Sequence, residues 1–461
     1  MKKHIYLCLL AVLMLPSCTN DFFELDPADK VVIDKVFQTA DDYNLAVVAC
    51  YAKLQSQVNF YTECCEYRSD NLYLSAPTSG TQDRYDIDQF AEVPSNGILD
   101  DYWANFNNNV YRCNMVLDRI DGASFDESLK KQYKGEALFV RALNYFNMYR
   151  VWGGVPVARQ VLNVSEALQT RRATDEEMYN YIAGDLKSII DENMLPASYS
   201  GDDIGRATSG AAMALLGKVY LTFHKWQEAA DVLSQLRGKY ELLKPVQDVF
   251  DVENKMNREI IFAVRFNKEV ENEGHGYWFS TTNLTDNTNQ SEALVNCYEA
   301  NDARKALITY VQAANNVCLM PKFMDTRSTT YNVVGNDQIL LRYADVLLMY
   351  AEALNELHYD ASSSSVALEC LNDVRTRSGI EALDASDVPD KASFRKAILD
   401  ERQREFPYEG HRWFDLVRMG YAQEVMGIQD YQLLFPIPQN EMEKIGNTDI
   451  LWQNPGYEGA N

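Results

Sequence analysis

Beyond residue 17 this 461-residue chain has no run approaching eighteen uninterrupted apolar residues, roughly the length at which a helix begins to span a bilayer. A mature protein without a transmembrane helix is expected. Basic charge is scarce: 43 Lys and Arg stand against 67 Asp and Glu, a formal net charge of −24. Such a surface repels a phosphate backbone on average, so no nucleic-acid partner is expected. The nine cysteines include no C-x-x-C, and His224, His275, His358 and His411 include no H-x-x-x-H pair. Zinc hydrolysis and dithiol chemistry therefore lack their ligand spacing. Gly210 to Gly217-Lys218 mimics a phosphate loop, but the interval is too long and Val219 stands where Ser or Thr would hold magnesium. Gly274 and Gly276 lack the third glycine of a dinucleotide fingerprint, and no G-x-S-x-G occurs. No cofactor is expected, and no spacing identifies a metal.

What is present begins with a leader. MKKHIYLCLLAVLMLPS, residues 1–17, has two lysines and then an apolar run from Ile5 to Leu15, and Cys18 follows at once. Leu-Pro-Ser-Cys resembles the lipobox of bacterial lipoproteins, in which the cysteine is acylated and becomes the mature N-terminus, with Pro16 as a departure. Residues 18–30, polar and acidic with Pro27, suit a short tether. Most of the seven cysteines after Cys18 are expected to be buried as small apolar residues. One disulfide would be compatible with an oxidising location, and the sequence does not choose its pair.

Helical periodicity dominates the body, 31–461. Thr39 with Asp42, Ser124 with Glu127 and Thr174 with Glu177 have capping-box spacing ahead of apolar runs, the second ending at Trp152-Gly153-Gly154. Two helical hairpins are clearer still. One turns at His224-Lys225, and the other carries a stripe from Leu340 through Tyr343, Leu347 and Tyr350 to Leu354, with a serine run as connector. Small alanines between large residues, in hairpins of roughly 34 residues, resemble tetratricopeptide repeats. These stack into an array because one repeat cannot bury its own face. Helical repeats are expected over about 39–59, 107–240 and 336–420. The period is lost in 60–106 and 241–335, an irregular, loop-rich lobe in which REIIFAVRF has strand character.

Six blocks in order are similar to the SusD/RagB family of nutrient-uptake lipoproteins. They are the lipobox with DFFELDP, ALFVRALNYFNMYRVWGGVPV, GRATSGAAMALLGKVYLTFHKWQEAA, ILLRYADVLLMYAEALNE with LNDVRTRSG, ERQREFPYEGHRWFDLVR, and LLFPIPQNEM with QNPGY. The resemblance implies a mainly α fold, a tetratricopeptide-like hairpin array with an irregular ligand-binding lobe, lipid-anchored at the cell surface on the outer membrane. It also implies a partner, a SusC-like TonB-dependent transporter, over which the lipoprotein acts as lid and capture device. Members bind oligosaccharides most often, some handle peptides, and none is known as an enzyme. Pro407 departs from the family pattern and implies that the helix entering that motif ends early.

The block 401–418 holds Glu401, Glu405, Glu409 and Asp415 among four arginines and Phe406, Trp413 and Phe414. Opposite charges three apart, Glu401/Arg404, Arg402/Glu405, Arg412/Asp415 and Asp415/Arg418, are expected to pair on helices. A glycosidase would need one acid held protonated in a cleft, whereas four arginines push carboxylates the other way. The block therefore reads as a structural frame. Glycan binding instead needs exposed aromatic faces beside side chains that take hydroxyls. The loop 275–289 offers Tyr277, Trp278, Asn283, Asp286 and Asn287. The segment 66–86 offers Tyr67, Arg68, Asp70, Asn71, Tyr73, Arg84 and Tyr85. The competing role for these aromatics is to fill the lobe's own small core. Trp103 reads as core, and Asn105 is left open between the two roles.

Overall fold

The computed structural model describes residues 36–270, 281–283, 288–312, 317–325, 334–360, 362 and 364–457. The leader, Cys18 and the tether lie outside them. Helix α1, Ala40–Gln55, starts on the expected capping box: Thr39 accepts from the Asp42 amide and Asp42 returns a bond to the Thr39 amide. A second helix, α2, runs Gly97–Ile120 from an Asn96 cap, so it begins ten residues inside the segment read as irregular. The cap of α3, Glu127–Trp152, is Asp126 and not Ser124. Its carboxylate accepts from the Ser128 and Leu129 amides, and its charge suits the positive end of the helix. For α4, Asp175–Asp191, the Thr174/Glu177 box forms as expected. Each such cap contributes about 1 kcal/mol. At the end of α3, Gly153 takes φ +71 and Gly154 lies so close to the next segment that a Cβ there would sit 1.9 Å from the Ala173 carbonyl oxygen.

The hairpin α5, Ser209–Thr222, and α6, Trp226–Ser234, turns at His224, φ +55. Then follow α7, Tyr343–Leu357, α8, Val366–Arg377, α9, Lys391–Glu405, and α10, Arg412–Arg418. The helix α9 ends before Pro407. From α2 to α8 each helix packs on the next, and α9 returns onto α7. This is a mainly α, tetratricopeptide-like array.

Short strands make up the rest: β1 Leu72–Leu74, β2 Ile260–Val264, β3 Thr281–Asn283, β4 Thr288–Gln290, β5 Val311–Gln312, β6 Val317–Leu319 and β7 Gln338–Arg342. They form three small antiparallel sheets, β1–β4, β2–β7 and β3–β6–β5. Leu340 thus belongs to a strand and not to the helical stripe; the helix begins at Tyr343. All five β7 side chains are buried, and a continuously buried run has no period to distinguish strand from helix.

The array has one large core and a small satellite cluster around Tyr43, Val47 and Ile120, and the lobe has a core of its own that includes Tyr67, Leu72, Leu74, Phe250, Tyr298, Phe323 and Tyr408. Five described cysteines are buried and Cys297 half-buried, all six as free thiols.

The block 401–418 joins the two cores. Phe406, Trp413, Phe414 and Leu416 are buried and Val417 half-buried. Glu405, fully enclosed, meets Arg342 at 2.6 Å, Arg304 at 2.7 Å and also Arg377. Glu409 meets Arg342 at 2.8 Å and Lys322 at 2.6 Å, and Glu401 meets Arg304 at 2.6 Å and Arg375 at 3.1 Å. Burial pushes the Glu405 carboxyl up, but Arg377, Arg342 and Arg304 overcome it and hold the group well below the usual range.

Two of the expected pairs form, Glu401/Arg404 and Asp415/Arg418. The other two do not. Arg402 is drawn to Asp345 and Asp415, at 2.8 and 2.7 Å, and Arg412 grips Asp70 at 2.6 and 2.7 Å. Tertiary partners win because buried, well-aligned carboxylates outweigh pairs along one helix.

Candidate glycan-binding site

The lobe's first strand is set up by the chain just before it. Residues Thr62–Glu66 form a π-helical turn, a feature that recurs at functional sites. It faces Glu63 and Glu66 to different partners. Glu66 accepts from the Asn71 amide group at 2.8 Å and from the Gly410 N–H at 2.9 Å. Arg68 is buried against Glu92 at 2.5 Å and lies over the rings of Phe90 and Phe435. Asp70 is held by Arg412 and also accepts from Gln403 at 3.1 Å. Asn71 and Arg68, read from the sequence as ligand contacts, are thus buried and bonded internally, and Asp70, half-buried, fixes the lobe to the frame. Arg84 is likewise buried and bonded to Glu63, at 2.7 and 3.2 Å.

Strand β1 then alternates. Leu72 and Leu74 point into the lobe core, while Tyr73 is 43% exposed. Its partner strand is β4, with Tyr73 opposite Asn289, and the Tyr67 hydroxyl meets that of Thr288 at 2.8 Å. The two segments singled out in the sequence, 66–86 and 275–289, are therefore hydrogen-bonded neighbours. Asn283 lies on β3; Tyr277, Trp278, Asp286 and Asn287 lie outside the described residues. Tyr85 is half-buried against the lobe core, which is the competing role for that ring.

Beside this ladder the short helix Gln82–Asp88 packs against β1, the π-turn and α2. Between them opens a polar cavity of about 430 Å³, within the range of small-ligand sites. Glu63 lines it, accepting from Arg84 and, at 2.5 Å, from the Tyr102 hydroxyl. Ser56, Gln82, Asp83, Asp101 and Asn105 also line it. Asn105 accepts from Ser56 at 3.1 Å, and Asp83 accepts from the Gly97 N–H at 3.0 Å. Trp103, next to Tyr102, is core, its ring 5.1 Å from that of Trp152. Sequence reading missed Glu63, Gln82, Asp83, Asp101 and Tyr102. The usable signal was Asn96-Gly97, a cap that would have placed Asp101, Tyr102 and Asn105 on the first turns of α2.

Two buried carboxylates hold β1 at its ends. Burial pushes Glu66 up to about 7, against opposing bonds from Asn71, Gly410 and Tyr408. Burial also pushes Asp88, which accepts from the Leu74 N–H at 3.1 Å, up to about 6. Because both values are raised, their contribution to stability is complete below the unfolded carboxyl range and is lost as pH rises through about 6 and about 7. Burial lowers His411 well below its ordinary value, so it stays neutral in this window. The melting temperature is expected to fall between pH 5.5 and 8, and Glu66→Gln should flatten that fall; an unaltered slope in the variant would assign it elsewhere.

Residues 265–433 match the model of the SusD family, and residues 29–221 match a model described as starch-binding, associating with outer membrane. SusD-like protein P25 of Formosa agariphila is 25% identical, over 94% of this chain and 95% of its own. Surface glycan-binding protein A from Bacteroides fluxus superposes with a TM-score of 0.77 at 24% identity, covering 91% of this chain and 100% of that one. A laminarin-binding SusD-like protein gives 0.74 at 26% identity, covering 91% and 100%. The two models match in order, one ending in the α5 hairpin and the other running from the end of β2 through the buried frame, and on that agreement the chain belongs to the SusD/RagB family.

Proposed function

We propose that this protein captures an oligosaccharide at the cell surface, anchored in the outer membrane by lipid on Cys18, and delivers it to a SusC-like TonB-dependent transporter. The observation that carries the binding step is the β1–β4 ladder, which sets the outward ring of Tyr73 opposite Asn289, on the same lobe as an open cavity lined with hydroxyl-bonding groups. Relatives named for surface glycan and laminarin binding support the ligand class, and the outer-membrane family description supports the location. The transporter follows from the family's role: a lipid anchor provides no route across the membrane, so another protein must.

A glycan-array screen of the soluble mature form identifies the ligand, and calorimetry then tests the site. Trp278→Ala and Tyr73→Ala should each weaken binding about tenfold or more, by analogy with the roughly 1–3 kcal/mol of an aromatic stacking platform, while melting at the wild-type temperature. Wild-type affinity in both folded variants would remove the platform from this lobe edge. Labelled palmitate should mark the wild type and miss Cys18→Ala; label in the variant would sink the anchor.

A further inference from the structure

Two openings, of about 550 and 380 Å³, lie on either side of a strap, residues 201–206, away from the polar cavity. Ile204, Gly205 and Arg206 line both. Every residue of β2 lines one or the other, Ile260 and Ile261 the larger, Phe262, Ala263 and Val264 the smaller; no residue of β7 lines either. Strand β2 pairs with β7 alone among the described strands. The openings therefore run along the length of β2, whose five side chains are buried and whose ladder to β7 shifts register on either side of Phe262. An uncovered strand edge offers main-chain donors and acceptors in register for another chain, and proteins commonly shield it with a loop.

Here the shield is the strap, and it is held unevenly. Its far end is anchored by Arg206, which donates to Glu136 at 3.1 Å, Asp203 at 2.7 Å and Asn44 at 2.5 Å. At its crossing point Arg265, just past β2, donates to the Ile204 carbonyl at 2.9 Å. Ile204 itself is 45% exposed, and Gly205 has φ +109, a backbone region open to glycine.

We propose that β2 accepts an extended peptide segment of a partner protein as an added strand, with Ile204 and Gly205 moving aside to admit it. The five residues of β2 match a peptide of about five residues, roughly 17 Å long. The wall chemistry specifies its ends. Around the smaller opening Val48, Ala52 and Phe266 present apolar surface, which fits an apolar side chain. Around the larger opening stand Lys239 and Arg258. Lys239 forms no ion pair among the described residues, and the pair of Arg258 with Glu241 is 72% and 63% exposed, so it exchanges readily for another carboxylate. The occupant is therefore apolar toward one end and acidic at the other. This surface is separate from the proposed glycan site and does not depend on it.

The test uses the mature protein and a fluorescein-labelled pentapeptide of alternating valine and threonine ending in glutamate. Saturable polarisation is expected at concentrations below about 1 mM. Of two versions N-methylated on alternate amides, one should bind about tenfold more weakly and the other like the parent, because only one edge of an added strand faces β2. Ser198→Trp and Ala52→Trp, which fill the two openings from their exposed rims, should weaken binding by a similar factor at an unchanged melting temperature. Equal binding by both methylated peptides, no saturation, or displacement by a neutral oligosaccharide bound in the same cleft would each overturn the proposal.

Discussion

Glu405→Ala is expected to destabilise the protein by about 3–5 kcal/mol, the cost of removing one partner from a buried ion-pair network. The carboxylate meets Arg342, Arg304 and Arg377 in a site closed to solvent. Taking it away leaves three guanidinium groups sharing Glu259, Asp302, Glu401 and Glu409, in a region where water cannot make up the difference. Urea unfolding read at the lobe and at the array should show both losing stability together, because Arg342 belongs to β7 and Arg377 to α8. A loss under about 1 kcal/mol would mean that the remaining acids close over the gap. The lowered Glu405 value adds a sign. Its contribution is present above the unfolded carboxyl range and is lost only as pH falls through its depressed folded value. It is therefore constant across the window in which Glu66 and Asp88 titrate, and the two effects can be separated by pH alone.

Gly410→Ala should be nearly as damaging. Gly410 has φ +76, and a Cβ built there would lie 2.5 Å from the Tyr61 Cβ, too close for any carbon pair. Its N–H also donates to Glu66 at 2.9 Å. Strain in this backbone region and overpacking together are expected to cost about 2–4 kcal/mol. The loss should be largest above about pH 7, where Glu66 is charged and its carboxylate depends most on the Gly410 N–H. Thermal melts of the variant at pH 5.5 and 8 check this; a wild-type melting temperature at both would show that Tyr61 can move away at no cost.

The array was readable because its signals are local. Thr39 and Thr174 announce their helices within four residues. Errors arose where a distant residue decides. Arg412 lies three positions from Asp415 in the chain but is captured by Asp70, and Leu340 follows a helical stripe but is recruited by β2. The site divided in the same way. Tyr73 could be named because it is aromatic in a polar stretch. Asn71 drew attention for the same polarity, yet its partner Glu66 turns it inward, whereas Arg84, bonded to Glu63, lines the polar cavity. Glu63, Asp83 and Tyr102 come from three separate elements, so no spacing in the sequence groups them.

The Asp70–Arg412 bond and the β1–β4 ladder also bear on how the chain folds. Each joins positions separated by roughly two hundred residues or more, and closures of that span form late because the entropy of the intervening chain must be lost first. Strand β1 and the residues that bind Arg412 emerge early during synthesis, whereas their partners emerge only in the second half. Helical hairpins of neighbouring residues can assemble as the chain appears; the lobe cannot close until residue 412 is available. A nascent chain is therefore expected to carry its early helical hairpins with an open lobe and an unfinished array core, so premature termination should yield a protein that aggregates rather than a truncated binder.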